Sequence, residues 1–179
     1  MKRILLHVCC GVCAFASVER LKEEGYYVET FFYNPNIQPY QEYLKRKESA
    51  QKVSDITKVK NIDSKYNLFS WYKLCKSLKD EKEGGRRCGM CYKLRMKETF
   101  RVAESNQFDY FTTTLTISPH KVSSYIFEMG KLVGGDCFLD IDFKKKDGFI
   151  KSVRAAKEFN LYRQNYCGCA YSRHDITKS

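Results

Sequence analysis

A chain of 179 residues and 21.0 kDa is long enough for one hydrophobic core and too short for two full domains, so a single α/β domain over residues 1–179 is expected. Apolar residues at 43%, aromatics at 15% and only three prolines exclude a disordered or collagen-like chain. The 32 Lys+Arg against 21 Asp+Glu leave a net charge of +11, which favours a polyanionic partner such as RNA, DNA or a phosphate-rich ligand but discriminates little by itself.

Lys2, Arg3, the apolar run from Ile4 to Ala16 and the Ala14-Phe15-Ala16 ending imitate a secretory signal. His7 and three cysteines interrupt that run, and the helical pattern continues unbroken into Ser17-Val18-Glu19-Arg20-Leu21. No segment supplies the roughly 20 apolar residues a membrane span needs. A cytoplasmic protein with reduced thiols and no membrane partner is therefore expected.

In chain order, Arg3 to Val8 reads as a buried strand, followed by a cysteine-bearing turn and a helix from about Cys13 to Glu24 that Gly25 ends. Tyr26 to Tyr33 is a second strand, closed by Asn34-Pro35-Asn36. A helix from Tyr40 to Val53 and a short strand within Lys58 to Asp63 follow, and the segment around Trp71 and Cys75 reads as helical. Gly84-Gly85 breaks the chain before a helix from about Arg87 to Glu104 with Cys88 and Cys91 on its first turn. Asp109 to Thr116 is the next strand, and Ser118-Pro119 predicts the cap and first turn of the helix after it. Cys137 to Phe143 reads as strand or loop, and Ser152 to Phe159 as a helix. Alternating strands and helices imply a parallel sheet covered on both faces.

Nine cysteines are many for an intracellular chain of this size, and seven fall into three groups: Cys9-Cys10-x-x-Cys13, Cys88-x-x-Cys91 and Cys167-x-Cys169. In an open parallel sheet, ligands collect beyond the carboxyl ends of the strands, where helix N-termini also point. Cys9, Cys10 and Cys13 leave the first strand at that end, Cys88 and Cys91 open a helix and Ser118 to His120 opens another, so two or three of these groups could converge there. A helix N-terminus lowers thiol pKa and so favours thiolate ligation. Soft thiolates suit zinc and iron–sulfur clusters alike. A zinc ribbon keeps its two pairs within roughly 15–20 residues, whereas these pairs are separated by several elements. An iron–sulfur cluster on Cys9, Cys10, Cys88 and Cys91 is the first choice, with Cys13 competing, because Cys10-Gly11-Val12-Cys13 is itself a Cys-x-x-Cys. Cys167 and Cys169 can close only a small strained disulfide, which fits a two-electron redox pair. Further metal ligation or inert burial stays open for them. Cys75 and Cys137 are read as core residues.

His7, in an apolar strand, is read as a core histidine. His120 is weighed between phosphate contact and plain surface, and Trp71 is read as packing. Lys144-Lys145-Lys146, Arg86-Arg87 and Arg163 are candidate backbone contacts for nucleic acid, though a charge run is usually a solvated face. Asp142 precedes the lysine run and is a candidate acid or metal ligand if its loop folds over the crevice.

The ordered set His7-Val-Cys-Cys-Gly-Val-Cys13, Arg87-Cys-Gly-Met-Cys91, Thr114-Leu-Thr-Ile-Ser-Pro-His120 and Leu161-Tyr-Arg-Gln-Asn-Tyr-Cys-Gly-Cys169 resembles the QueH type of epoxyqueuosine reductase over nearly the whole chain. Val12 stands where that family often has Pro, on a spacer that is no ligand. The resemblance implies a cobalamin-independent reductase that removes the epoxide oxygen from epoxyqueuosine in tRNA, the last step to queuosine. It implies a [4Fe–4S] cluster on Cys9, Cys10, Cys88 and Cys91 and a redox-active Cys167–Cys169 pair. It also implies a Rossmann-like parallel sheet similar to the nucleotide-binding ATP pyrophosphatase (HUP) fold. Cysteines replace the Ser-Gly-Gly phosphate loop of the ATP-using relatives, so ATP chemistry is not expected. A second iron or other metal, held by Cys13 or Asp142, could polarise the epoxide, and an electron donor is required. Tyr162 and Tyr166 beside Arg163 are candidates for stacking the target base. Two alternatives remain: a zinc-stapled RNA-binding protein without catalysis, and an iron–sulfur tRNA sulfur-transfer enzyme.

Overall fold

The computed structural model describes residues 1–172. Four parallel strands, β1 (Arg3–His7), β2 (Tyr27–Phe31), β3 (Asn61–Ile62) and β4 (Tyr110–Thr113), form one sheet in the order β3-β2-β1-β4. The helices are α1 (Gly11–Glu23), α2 (Tyr40–Ile56), α3 (Leu68–Cys75), α4 (Arg86–Ser105), α5 (Ser123–Gly134) and α6 (Gly148–Glu158). The parallel sheet expected from the alternation, and the Rossmann-like architecture implied by the resemblance, are the ones found.

Side-chain alternation along β1 divides the core. Ile4 and Leu6 pack with apolar residues of α1, α2 and α6, whereas Leu5 packs with Tyr92, Met96 and Val102 of α4 and Ile126 of α5. Both sheet faces are thus covered, as a parallel sheet requires. Gly25 ends α1 as the sequence indicates: it sits at φ +86°, its N–H donates to Lys22 O (3.0 Å), and the Tyr26 N–H donates to Leu21 O (3.0 Å). This is the paired hydrogen-bond closure of a left-handed helix terminus.

Several boundaries differ from expectation by a few residues, and three of them are these. The strand expected from Asp109 to Thr116 stops at Thr113, because its Oγ1 accepts from Leu115 N (3.1 Å) and turns Thr114–Ile117 into a 3₁₀ turn. Ser118-Pro119 does not open the next helix. Lys121 N donates to Ser118 O (3.2 Å) in a separate turn, and α5 begins only at Ser123. The last helix begins at Gly148, a turn before Ser152.

The order β3-β2-β1-β4 places the change of winding direction between β1 and β4. Chains leave these adjacent strands to opposite faces, and a crevice opens beyond their carboxyl ends. Gly11 lets α1 start against α2, since a Cβ there would lie 2.6 Å from the carbonyl carbon of Ser49. Gly11→Ala is expected to destabilise the metal-free protein by about 1–3 kcal/mol, as overpacking does, measured by urea denaturation; an unchanged midpoint would refute the tight approach.

Candidate active site

The crevice is a cavity of about 760 Å³ lined by six cysteines: Cys9, Cys13, Cys88, Cys91, Cys167 and Cys169. They come from three chain segments far apart in sequence. Cys9 and Cys10 follow β1, and Cys10 caps α1, its Sγ accepting from Cys13 N (3.5 Å). The Sγ atoms of Cys9, Cys10 and Cys13 lie within 4.8 Å of one another. Cys88 and Cys91 ride the first turns of α4, so two helix N-termini face the sulfurs. Cys167 and Cys169 follow α6 in an irregular segment, and Cys169 packs with Cys91, Cys75 and Trp71.

β4 is tied to this group by Thr114. Its Oγ1 accepts from Cys9 N (3.0 Å) and lies 3.3 Å from Cys9 Sγ, toward which its hydroxyl donates. Gly84 N donates to Cys88 Sγ (3.2 Å). Hydrogen bonds from the Cys10 and Cys13 thiols hold Cys9 well below the ordinary thiol pKa, while donating to Cys10 and Cys9 pushes Cys13 well above it. Burial raises Cys88 and Cys91, opposed at Cys91 by the charge of Arg95.

The Cys167–Cys169 pair is asymmetric. A hydrogen bond from the Cys169 thiol, helped by Ser172, pulls Cys167 below the usual value, and donating that bond pushes Cys169 above it. A buried ion pair pins the loop that carries them. Arg46 Nε donates to Glu42 Oε1 (2.7 Å), and the same guanidinium donates to Cys167 O (3.1 Å) and Tyr166 O (3.0 Å). Gly168 sits at φ +99°, its carbonyl accepting from Gln38 N (2.8 Å). That conformation suits glycine at the centre of the Cys-Gly-Cys turn.

Seven buried side-chain polar atoms lack a nitrogen or oxygen partner among the described residues, and six belong to residues lining this cavity: Asn36, Arg87, Ser152 and Gln164, with Trp71 and Ser172, which face only the sulfurs of Cys91 and Cys167. Buried polar atoms are seldom left unpaired, so this concentration marks the cavity as built for a polar occupant. The sulfur-rich, soft donor set fits an iron–sulfur cluster on the cavity wall. Cys9, Cys10, Cys88 and Cys91 could hold it, with Cys13 beside them.

Several expectations change. Asp142 is not among the lining residues. Its Oδ1 accepts from Lys144 N (3.1 Å) and lies 3.6 Å from Lys144 Nζ, which holds the carboxylate within its own loop. Lys144 is itself spent on Thr116 O, Lys121 O and Ser123 Oγ. Arg87, grouped with Arg86 as a surface pair, is 1% exposed. Cys75 is buried as expected, but Cys137 is exposed on the turn after α5. His120 lies in the turn before α5, on the cavity rim with Lys121 and Arg163. Tyr162 and Tyr166 hold the loop: the Tyr162 hydroxyl donates to Glu42 Oε2 (2.6 Å) and that of Tyr166 to Gln38 O. Trp71 is packed, 0% exposed, and also lines the cavity. His7 is a core residue, its ring between Thr113 Oγ1 (2.9 Å) and Tyr33 O (3.0 Å).

Sequence reasoning missed Arg46, Arg95, Asn36 and Gln164. Arg95 was findable: it follows Cys88 by seven residues and Cys91 by four, so all three share one stripe of α4.

Residues 4–175 match the family model described as Epoxyqueuosine reductase QueH. The chain belongs to the QueH family. The protein of that description from Thermotoga maritima is 35% identical over 181 residues, covering 96% of this chain and 91% of its own length. Its namesake in Streptococcus pyogenes is 36% identical over 178 residues, covering 94% of this chain and 69% of its own. Among solved structures, a predicted subunit of tRNA methyltransferase from Methanocaldococcus jannaschii aligns with TM-score 0.61 at 13% identity, over 99% of this chain and 88% of that one. The U34-tRNA thiolase NcsA from Methanococcus maripaludis, solved with its [4Fe-4S] cluster, aligns with TM-score 0.56 at 12% identity, over 99% of this chain and 64% of that one. At such identities these two establish the shared fold of this QueH chain and nothing finer.

The asymmetry of the vicinal pair has a direct readout. In reduced protein at pH 7, Cys167 is expected to react with iodoacetamide ahead of Cys169, because thiolate is the nucleophile. Cys169→Ala removes the donor, so the Cys167 pKa climbs from about 6 toward the ordinary thiol value and its alkylation at pH 7 should slow severalfold. Mass spectrometry after timed quenching checks this, and equal rates in the two proteins would refute the asymmetry.

Proposed function

We propose that this QueH chain reduces epoxyqueuosine to queuosine in tRNA without cobalamin, the last step in making that nucleoside. A [4Fe–4S] cluster is held by Cys9, Cys10, Cys88 and Cys91, and Cys167 with Cys169 form the two-electron couple. The observation that carries this reading is the convergence of six thiols from three chain segments on one cavity at the split of the sheet. Family membership supplies the substrate.

When bound, the cluster supplies one-electron transfer. The chain's own groups account for the remainder. Converting an epoxide to an alkene takes two electrons and two protons and releases the oxygen as water. Cys167 and Cys169 together carry two electrons and two protons, and their oxidation leaves one S–S bond, so the exchange balances. A low-potential electron donor must then restore the dithiol. The Glu42–Arg46 pair keeps the couple in place through both states by gripping the backbone oxygens of Tyr166 and Cys167. Asn36 Oδ1 and Gln164 Oε1, buried acceptors without partners among the described residues, are suited to the N–H donors of a guanine-type base edge. His120, Lys121 and Arg163 at the rim suit flanking phosphates. Cys13 remains a ligand candidate for a second iron or other metal. The reading implies a cytoplasmic protein, and among the described residues no helix is long and apolar enough to cross a membrane.

Anaerobically prepared protein supplied with dithionite is expected to convert epoxyqueuosine in tRNA to queuosine, followed by nucleoside mass spectrometry. Cys167→Ser and Cys169→Ser should each keep the visible absorbance of the cluster and lose turnover by at least about a thousandfold, as for loss of a nucleophile. Full activity in both variants would remove the couple from the mechanism.

A further inference from the structure

Three arginines are almost wholly buried: Arg46 (3% exposed), Arg87 (1%) and Arg95 (4%). Only Arg46 has a carboxylate partner among the described residues, Glu42 at 2.7 Å. Arg87 directs Nη1 to the carbonyls of Leu78 (3.2 Å), Lys79 (2.8 Å) and Glu81, and its Nε is unpaired. Arg95 donates through Nη2 to Asn34 Oδ1, and its Nε lies 3.4 Å from His7 Nε2. Asn34 is in turn fastened by Nδ2 to Val8 O (2.9 Å), so the guanidinium is held in one orientation.

A guanidinium cannot shed its proton in a protein. Hydrogen bonds to neutral oxygens, and for Arg87 the Tyr171 ring 5.5 Å from its Cζ, bring no full negative charge to either guanidinium, and a buried charge without an anion is costly. Arg87 and Arg95 both line the sulfur cavity. Arg87 adjoins Cys88 in the chain, and Arg95 lies one helical turn beyond Cys91 on α4, on the stripe that carries both cysteines. An anion in that cavity would supply the missing charge. An oxidised four-iron, four-sulfide centre on four thiolates carries about two net negative charges, and reduction adds one more.

We propose that Arg87 and Arg95 are the buried counter-charges of the iron–sulfur centre and raise its reduction potential. This rests on the cluster assignment above. Both are positioning residues: they act on the centre through its surroundings and touch no reacting atom. A fixed cation beside the centre stabilises the more negative, reduced form, so the potential is higher than in a neutral setting.

The test is the midpoint potential of reconstituted wild type, Arg95→Lys and Arg95→Gln by spectroelectrochemistry, with thermal unfolding of each in cluster-free and loaded form. Arg95→Gln should lower the potential, and Arg95→Lys should stay near wild type. Arg95→Gln should also weaken the loaded protein while leaving the cluster-free protein unchanged or more stable, because it removes an uncompensated charge from the latter. A Gln variant that loses the cluster while the Lys variant keeps it supports the assignment equally.

An unmoved potential in the Gln variant, or a Lys variant shifted as far as Gln, overturns it. Equal loss of stability in both forms, or loss of the cluster from both variants, would make Arg95 a packing residue and also overturns it. A raised KM for tRNA with no change in potential would assign Arg95 to a substrate phosphate instead. Wild type that takes up no cluster removes the parent reading along with this one, whereas loaded wild type with an unmoved Gln variant removes this one alone.

Discussion

Everything at the site depends on the junction between β1 and β4. The two strands run parallel and adjacent, so their carboxyl ends emerge together, and Thr114 meets Cys9 there through a backbone donor and a side-chain donor. That contact requires β4 to stop at Thr113 and curl, which the Thr113 hydroxyl enforces by accepting from Leu115 N. If the strand ran on to Thr116, the chain would pass the crevice without closing it. The same parallel arrangement points the N-termini of α1 and α4 at the sulfurs, where partial positive charge favours thiolate.

Charge organises the second layer. A basic chain of net charge +11 buries three arginines around a cavity rich in thiols, yet provides only one of them with a carboxylate among the described residues. Arg46, the paired one, spends its remaining donors on the backbone of the Cys-Gly-Cys turn. A neutralised arginine thus serves as a clamp, while the two without acids stand where an anion is to be accommodated. His7 adds no positive charge to this region: burial foremost, and then the neighbouring Arg95, push its pKa down to about 3.

Much of this was legible in the residues. Alternating strand and helix patterns gave the parallel sheet, Gly25 marked the end of α1, and the three cysteine groups marked the crevice, because covalent chemistry leaves a dense and unusual signal. What stayed hidden was long-range pairing. Asp142 looked free in a loop until Lys144 took its carboxylate. Arg87 looked like half of a surface pair until the carbonyls of residues 78–81 enclosed it. Ser118-Pro119 had the local chemistry of a helix start, but Lys144 reaching the carbonyls of Thr116 and Lys121 stabilises a turn there instead. Arg95 was recoverable from helical spacing alone; Asn36 and Gln164 were not, since their significance lies in side-chain oxygens left unbonded among the described residues.

The central claim is that the converging thiols hold an iron–sulfur cluster. The most direct measurement is the visible spectrum of anaerobically purified protein, with iron, acid-labile sulfide and zinc determined per chain. The account predicts brown protein with a broad band near about 400 nm and about four irons and four sulfides. Colourless protein with stoichiometric zinc, unchanged after anaerobic reconstitution with iron and sulfide, would contradict it and make the cysteines a structural staple.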